Sequence, residues 1–439
     1  MRIFKLSASL VLLFTQSFLI AQTNIFSLEQ AIDYGLENNR ELKNVKLESE
    51  NLREQAFEVM TEGFPKISAN LDYNHFFKQQ VSIIPAGIFG PTEQEIILTL
   101  PHSMIMQAEI NQLVFDARYI YGMKARKGFF AQADARTDLG IINTKDKITK
   151  AYYQALVANE SYKQLAENEN ILNQLLRETK KTYEEGLTDE LAVNRLELNL
   201  SNLLTQIERA RQQYENALLN LKFVIAMPQS ETLELSETLD DLFEKLDWGI
   251  DKSVNPDNRI ETKILTVNDE MRMYDIKQAR SNYFPSFYAF GNYGTLAQRD
   301  QFNFFNDGRW FDFGGVGFRI NVPIFDGLQA RSQVQQRKIQ REQNQNDLEN
   351  FRESIHLEVA VAKNNLNNAI NEYNTQIENV ELAQKILKKT IAMFSEGVGS
   401  SFELSQAQQE LTTTQINYAQ AVYNLLVAQV ELKKSLGKL

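Results

Sequence analysis

Tyr183-Glu184-Glu185-Gly186-Leu187 and Phe394-Ser395-Glu396-Gly397-Val398 share one pattern, with Gly186 returning as Gly397 at an offset of 211 residues. Each stretch leads from an aromatic residue through an acidic one to a glycine and an aliphatic residue, a composition suited to ending a helix. Phe64-Pro65 returns as Phe284-Pro285 and Phe115-Asp116 as Phe325-Asp326, at offsets of 220 and 210. The chain therefore repeats one order of parts: a helix, a strand pair, a very long helix and a second helix.

Working outward from the two glycines, the helical signal is a regular one. Leu404, Ala407, Leu411, Thr414, Tyr418, Ala421, Leu425, Ala428 and Leu432 alternate spacings of three and four. Subtracting 211 gives Val193, Leu196, Leu200, Leu203, Ile207, Ala210, Tyr214, Ala217 and Leu221. This heptad alternation buries a narrow seam against a neighbouring helix. No proline interrupts Asp116–Gly186 or Asp326–Gly397. Each span of about 70 residues gives a helix of roughly 105 Å at 1.5 Å per residue. Capping candidates follow each glycine, Thr188 or Asp189 and Ser400 or Ser401, so the chain reverses into two antiparallel hairpins with small tips.

Between the short and long helices lie alternating segments. Ile67, Ala69, Leu71 and Tyr73 are interleaved with Ser68, Asn70, Asp72 and Asn74, and Met104, Met106, Ala108 and Ile110 with Gln107, Glu109 and Asn111. Phe318, Ile320, Val322 and Ile324 continue the pattern in the second half. Such alternation fits a half-buried soluble sheet or a membrane barrel. The heptad seams are already committed to helix packing, which leaves no helix face to cover the sheet and favours the barrel. Four strands cannot close in lipid, where open edges are not tolerated. Three chains would supply twelve strands and twelve helical columns.

The remaining composition excludes other classes. Arg2, Lys5, the apolar run Leu10–Ile20 and Leu19-Ile20-Ala21 read as a secretory signal over 1–21, and its apolar run is too short to span a membrane. There are no cysteines, so disulfides and thiolate metal sites are excluded. A net charge of −11 without a basic stripe argues against nucleic acid. Three histidines, His75, His102 and His356, show no catalytic or ligand spacing, so no enzyme activity and no cofactor are expected. His102 with Met104 and Met106 offers soft donors for copper or silver, but the methionines read as lipid- or core-facing, and no metal site is assigned.

The expected organisation is a signal over 1–21, a first repeat over 22–228, a linker over 229–255 and a second repeat over 256–439. The first repeat holds helical sequence over 27–63, broken at Asn38-Asn39, strands 65–77 and 102–115, a long helix 116–186 and a helix 188–226. The second holds a helix 256–283, strands 285–298 and 311–325, a long helix 326–397 and a helix 400–437. One short helix is expected within Leu233–Leu246 of the linker.

In this order the chain resembles the TolC family of outer-membrane efflux proteins. The carriers are Phe26-Ser27-Leu28-Glu29-Gln30-Ala31, Phe64-Pro65, Phe284-Pro285, Val322-Pro323-Ile324-Phe325-Asp326-Gly327, Glu396-Gly397 and Leu404-Ser405-Gln406-Ala407-Gln408. The resemblance implies an α+β membrane protein, a homotrimer with a shared twelve-strand barrel in outer-membrane lipid and a helical periplasmic tunnel. It implies docking to a periplasmic adaptor and an inner-membrane pump of the proton-driven or ABC type, for efflux or for type I protein secretion. A soluble periplasmic coiled-coil scaffold is the alternative of another class.

The same resemblance puts an entrance at the hairpin tips. Glu403 falls on the first of two acidic gate positions, while the second is Gln406 here. The Tyr and Arg that latch the family's gate correspond to Phe394 and Gly399, and an expected aspartate to Ala192. Three Glu403 carboxylates around one axis would favour cations; a single exposed one near a helix start is mildly stabilising. Gly186, Leu187 and Thr188, with Gly397, Val398, Gly399 and Ser400, are the expected adaptor contacts, or else tight turns alone.

Overall fold

A computed structural model describes residues 24–88, 90–244, 253–306 and 308–439. The expected signal over 1–21 and residues 245–252 of the linker lie outside the described residues. In chain order the elements are β1 (Asn24–Phe26), α1 (Leu28–Asn38), α2 (Arg40–Thr61), β2 (Lys66–His75), β3 (Val81–Ile84), β4 (Gln94–Ile97) and β5 (His102–Phe115). There follow α3 (Ala117–Glu184), α4 (Glu190–Ile225), β6 (Leu233–Leu235), α5 (Leu239–Glu244), α6 (Ile260–Arg280), β7 (Ser286–Arg299), β8 (Phe311–Asn321), α7 (Gln329–Ser395) and α8 (Ser401–Ser435).

The helical stretch 27–63 breaks at Asn39, within the Asn38-Asn39 break expected from the sequence, because Asn39 steps out of helical geometry; its side chain accepts from the Leu42 N–H at 2.9 Å and starts α2. Other boundaries depart from the sequence reading for local reasons. The strand expected over 311–325 stops at Asn321, two residues before Pro323, which has no N–H for a ladder. The long helix expected from 326 begins at Gln329, after Gly327 and Leu328 take positive φ angles of 66° and 71°. The linker contains a strand as well as a helix: β6 pairs in parallel with β1 through Asn24↔Leu233 and Phe26↔Leu235. The β3–β4 hairpin was also unexpected.

The repeated Phe-Asp pair has one structural purpose. Asp116 Oδ1 accepts from the Arg118 N–H at 2.7 Å, and Asp326 accepts from the N–H groups of Leu328 at 3.0 Å and Ala330 at 2.7 Å. Each aspartate thus satisfies orphan donors at the start of a helix of 68 or 67 residues. Burial pushes the Asp116 carboxyl up, but its hydrogen bonds and ion pair with Arg118 outweigh this and hold its pKa below the usual carboxylate value.

The chain divides into two compact units. One, comprising Val45–Asp138 and Ile260–Ser354, carries the four-stranded antiparallel sheet in the order β2-β5-β7-β8. The register joins Ile67 to Ile110, Ile110 to Gly291 and Gly291 to Val316, so the pleat collects the apolar residues on one face. That face is uncovered: Ile67 is 76% exposed, Phe318 82% and Val316 91%. The opposite face carries Asn70, Asp72, Gln107, Glu109, Asn292 and Arg319.

The other unit comprises Met1–Asn44, Leu139–Arg259 and Ile355–Leu439. Its cores are helical seams. One gathers Leu172, Leu176, Val193, Leu196, Leu203, Leu387, Leu404 and Leu411 from α3, α4, α7 and α8. The second surrounds Tyr152, fully buried, whose hydroxyl donates to the Phe26 carbonyl at 3.1 Å. Every residue of the α8 stripe is buried except Tyr418, which is partly buried and stacks on Tyr373. Burial, reinforced by Tyr373, pushes the Tyr418 phenol up to about 12, so it stays neutral and packs as an aromatic.

Candidate functional site

The candidate site is the pair of hairpin tips, and both close by the same backbone device. Leu187 N–H donates to Thr182 O and Gly186 N–H to Tyr183 O, each at 2.9 Å. Val398 N–H donates to Met393 O at 3.0 Å and Gly397 N–H to Phe394 O at 3.1 Å. This is the Schellman pattern, which satisfies the last helical carbonyls with a left-handed residue. Gly186 and Gly397 sit at φ 75° and 78°, where an L side chain is strained. Gly399 is needed for another reason: a Cβ there would meet the Phe394 backbone nitrogen at 2.9 Å.

In the usual motif the aliphatic residue after the glycine folds back onto its helix. Here Leu187 stays 75% exposed and Val398 72%. Each tip thus presents one uncovered aliphatic side chain. Thr188 is partly buried; the N-cap of α4 is its neighbour Asp189, whose side chain accepts from the Ala192 N–H at 2.8 Å.

Ser400 caps α8, and Glu403 completes the cap. The Glu403 N–H donates to Ser400 Oγ and the Ser400 N–H donates to Glu403 Oε2, both at 3.2 Å. This reciprocal box gives Glu403 a local structural role in addition to its charge. Gln406, one turn on, is exposed. Phe394 packs against the apolar seam. The geometry thus brings Glu403 together with Ser400, while Phe394 packs in the seam.

The contacts that join the two hairpins were missed in the sequence. Arg195 on α4 donates from Nη1 to Ser401 Oγ at 3.1 Å, and its guanidinium carbon lies 5.7 Å from the Phe402 ring centroid. One turn further, Ser405 Oγ donates to Asn199 Oδ1 at 2.8 Å. Deeper still, Asn168 Nδ2 donates to Gln415 Oε1 at 2.6 Å between buried partners. A polar residue flanking Leu196 was the only available signal, and many flanking positions simply face water. Arg195 is the repeat equivalent of Gln406, so the two halves place a cation and a neutral amide at matched positions.

The sheet is the second candidate element. Its outer strands differ from its inner ones: β2 is exposed at all ten positions and β8 at ten of eleven. Among the described residues each has one partner strand only, β5 for β2 and β7 for β8. Their outward edges therefore carry unpaired ladder groups. Among the described residues no helix is long and apolar enough to cross a membrane, and no three His, Asp or Glu residues converge on a metal position.

Comparison with known proteins gives a consistent result. Residues 267–438 match the family described as outer membrane efflux protein. Outer membrane protein TolC of Vibrio cholerae is 21% identical over 433 residues, covering 94% of this chain and 91% of that protein. TolC of Escherichia coli is 30% identical over 124 residues, 28% of this chain and 25% of that protein. The fold matches a solved structure of CusC with a TM-score of 0.74 at 16% identity, covering 94% of this chain and 93% of that one. It matches the outer membrane channel CmeC of Campylobacter jejuni with a TM-score of 0.72 at 16% identity, covering 94% and 85%.

Proposed function

We propose that this chain is a TolC-like outer-membrane efflux protein that works as a homotrimeric duct entered at its hairpin tips. In that reading it is an outer-membrane channel component of efflux pumps, with a periplasmic tunnel. The observation that carries the trimer is the open sheet. An apolar face uncovered by any helix suits lipid, but two unpaired edges do not, because unsatisfied backbone groups cost several kcal/mol each in hydrocarbon. Pairing β8 of one copy with β2 of the next removes both edges. Two copies would make an eight-strand barrel filled by its own side chains, whereas three give twelve strands and room for a passage.

The helices support the same assembly. Leu191 and Leu198 on α4 are 52% and 61% exposed, as are Leu357 and Leu382 on α7 at 66% and 56%. These apolar positions await neighbours that the single chain does not supply. Arg195 is the proposed clasp of the entrance, holding α4 to the start of α8 in place of the polar latches that Phe394 and Gly399 cannot form. Glu403 and Gln406 are proposed to line that entrance, so that three Glu403 carboxylates bias the pore toward cations. Leu187 and Val398, with the glycines that make the turns around them, are the proposed contacts for a periplasmic adaptor, which connects the duct to an inner-membrane pump.

One preparation tests this reading. The full-length protein in detergent should run as a heat-sensitive trimer and form conducting pores in planar bilayers. A mature chain that is monomeric and soluble without detergent would overturn it. In cells, Leu187→Asp with Val398→Asp should abolish efflux while leaving the trimer intact; loss of the trimer as well would make the tips purely structural.

A further inference from the structure

The geometry points to a binding site for a divalent transition-metal ion on His75 and His102, at the end of the sheet away from the start of α3. These are two of the three histidines in the chain, and the register of β2 and β5 sets them directly opposite one another. Their ring centroids are 4.4 Å apart and the planes differ by 23°. Opposed residues of an antiparallel pair have Cβ atoms about 4.5–5.5 Å apart. Two imidazoles there can turn their nitrogens onto one ion at the usual distance of about 2.0–2.1 Å.

One ring is already held as a ligand ring is held. Tyr73 lies on the same face, two residues before His75, and its hydroxyl is 2.8 Å from His102 Nδ1. With Nδ1–H donating to that hydroxyl, Nε2 presents its lone pair outward. Metal-binding histidines generally have their second nitrogen fixed in this manner. Phe302 backs the arrangement, with its ring centroid 5.2 Å from Tyr73 and 6.5 Å from His102. His75 is exposed, so it can rotate and water can complete the coordination.

The surroundings select the class of ion. Met104 is 4% exposed and packed with Ala297 and Phe304, so its thioether is committed to packing. That removes the soft donor which monovalent copper or silver would favour, and leaves imidazole and water, which suit zinc, nickel or divalent copper. No acidic side chain joins the pair among the described residues. Arg299 is opposite His102 on β7, but its guanidinium donates to the carbonyls of Gln298 and Arg309 and lies over Phe304. Its charge nearby, with only two protein ligands, makes the site a weak and reversible one. An ion there would tie β2, an edge strand, to β5.

Titrating untagged full-length protein in detergent with zinc chloride at pH 7.5, followed by calorimetry, tests the site. One ion per chain is expected, with an affinity reduced at least about tenfold in H75Q and in H102Q, and unchanged in H356Q. The metal-free variants should keep the wild-type far-ultraviolet spectrum, which separates a lost ligand from a lost fold. No zinc uptake by the wild type up to millimolar concentration, or equal uptake by the H75Q/H102Q double variant, would overturn the site.

Discussion

Helices α4 and α8 occupy equivalent places in the two repeats, yet the chain finishes only one of them. α8 buries a second row beside its heptad stripe, including Gln408, Thr412, Gln415, Val422, Leu426 and Val430. α4 buries little beyond the stripe, and leaves Leu191, Leu198 and Leu219 exposed. The difference teaches that a sequence repeat does not impose an equal environment. α8 meets partners from both hairpins within its own chain, whereas one face of α4 stays exposed.

The strongest way to break this comparison is to shorten one leucine in each helix. Leu404→Ala in α8, at 1% exposure, should lower the stability of the chain by about 2–5 kcal/mol in denaturant unfolding. Leu198→Ala in α4 should leave unfolding within about 0.5 kcal/mol and instead loosen the proposed trimer on heated gels. Equal effects of the two on unfolding would mean that the exposed face of α4 packs within the chain after all.

A smaller effect is expected where the two helices touch. Arg195→Ala removes a hydrogen bond to Ser401 and a cation–π contact with Phe402, together worth about 1–2 kcal/mol. Single-channel recording should show longer open times and larger mean conductance. An unchanged conductance would reduce Arg195 to a packing residue.

The smallest change separates charge from capping at Glu403, whose counterpart in the first repeat is Ala192. Glu403→Gln keeps an oxygen to accept from the Ser400 N–H, so stability should change by less than about 0.5 kcal/mol. Cation selectivity should nevertheless fall if three carboxylates face one pore. Unchanged selectivity in bilayer recordings would leave Glu403 as a cap alone.

The helices were legible because their periodicity is long and redundant. Nine positions recur in register at an offset of 211, and the turn glycines punctuate them at Gly186 and Gly397. The alternating strand segments were readable for a similar reason. What escaped was short or dependent on distant partners. β1 and β6 contain three residues each and exist only because segments about 209 residues apart pair. Arg195 was invisible because nothing local distinguishes a cation aimed at a neighbouring hairpin from one aimed at water.

At the tips, the sequence marked where the chain reverses, and the structure decided what the reversal leaves available. Glycine position follows from backbone sterics alone, which a sequence encodes residue by residue. The exposure of Leu187 and Val398 follows from how each turn is finished, which no pentapeptide specifies.

The sequence by itself determined the two-repeat plan, the heptad seams and the alternation that gives the sheet an apolar and a polar face. These depend on local periodicity, and periodicity is a property of the chain. Only the tertiary structure decided that α8 is covered twice and α4 once, that β2 and β8 are the open edges, and that His75 meets His102. Those outcomes depend on which distant segments come together, because burial and register are properties of pairs of surfaces.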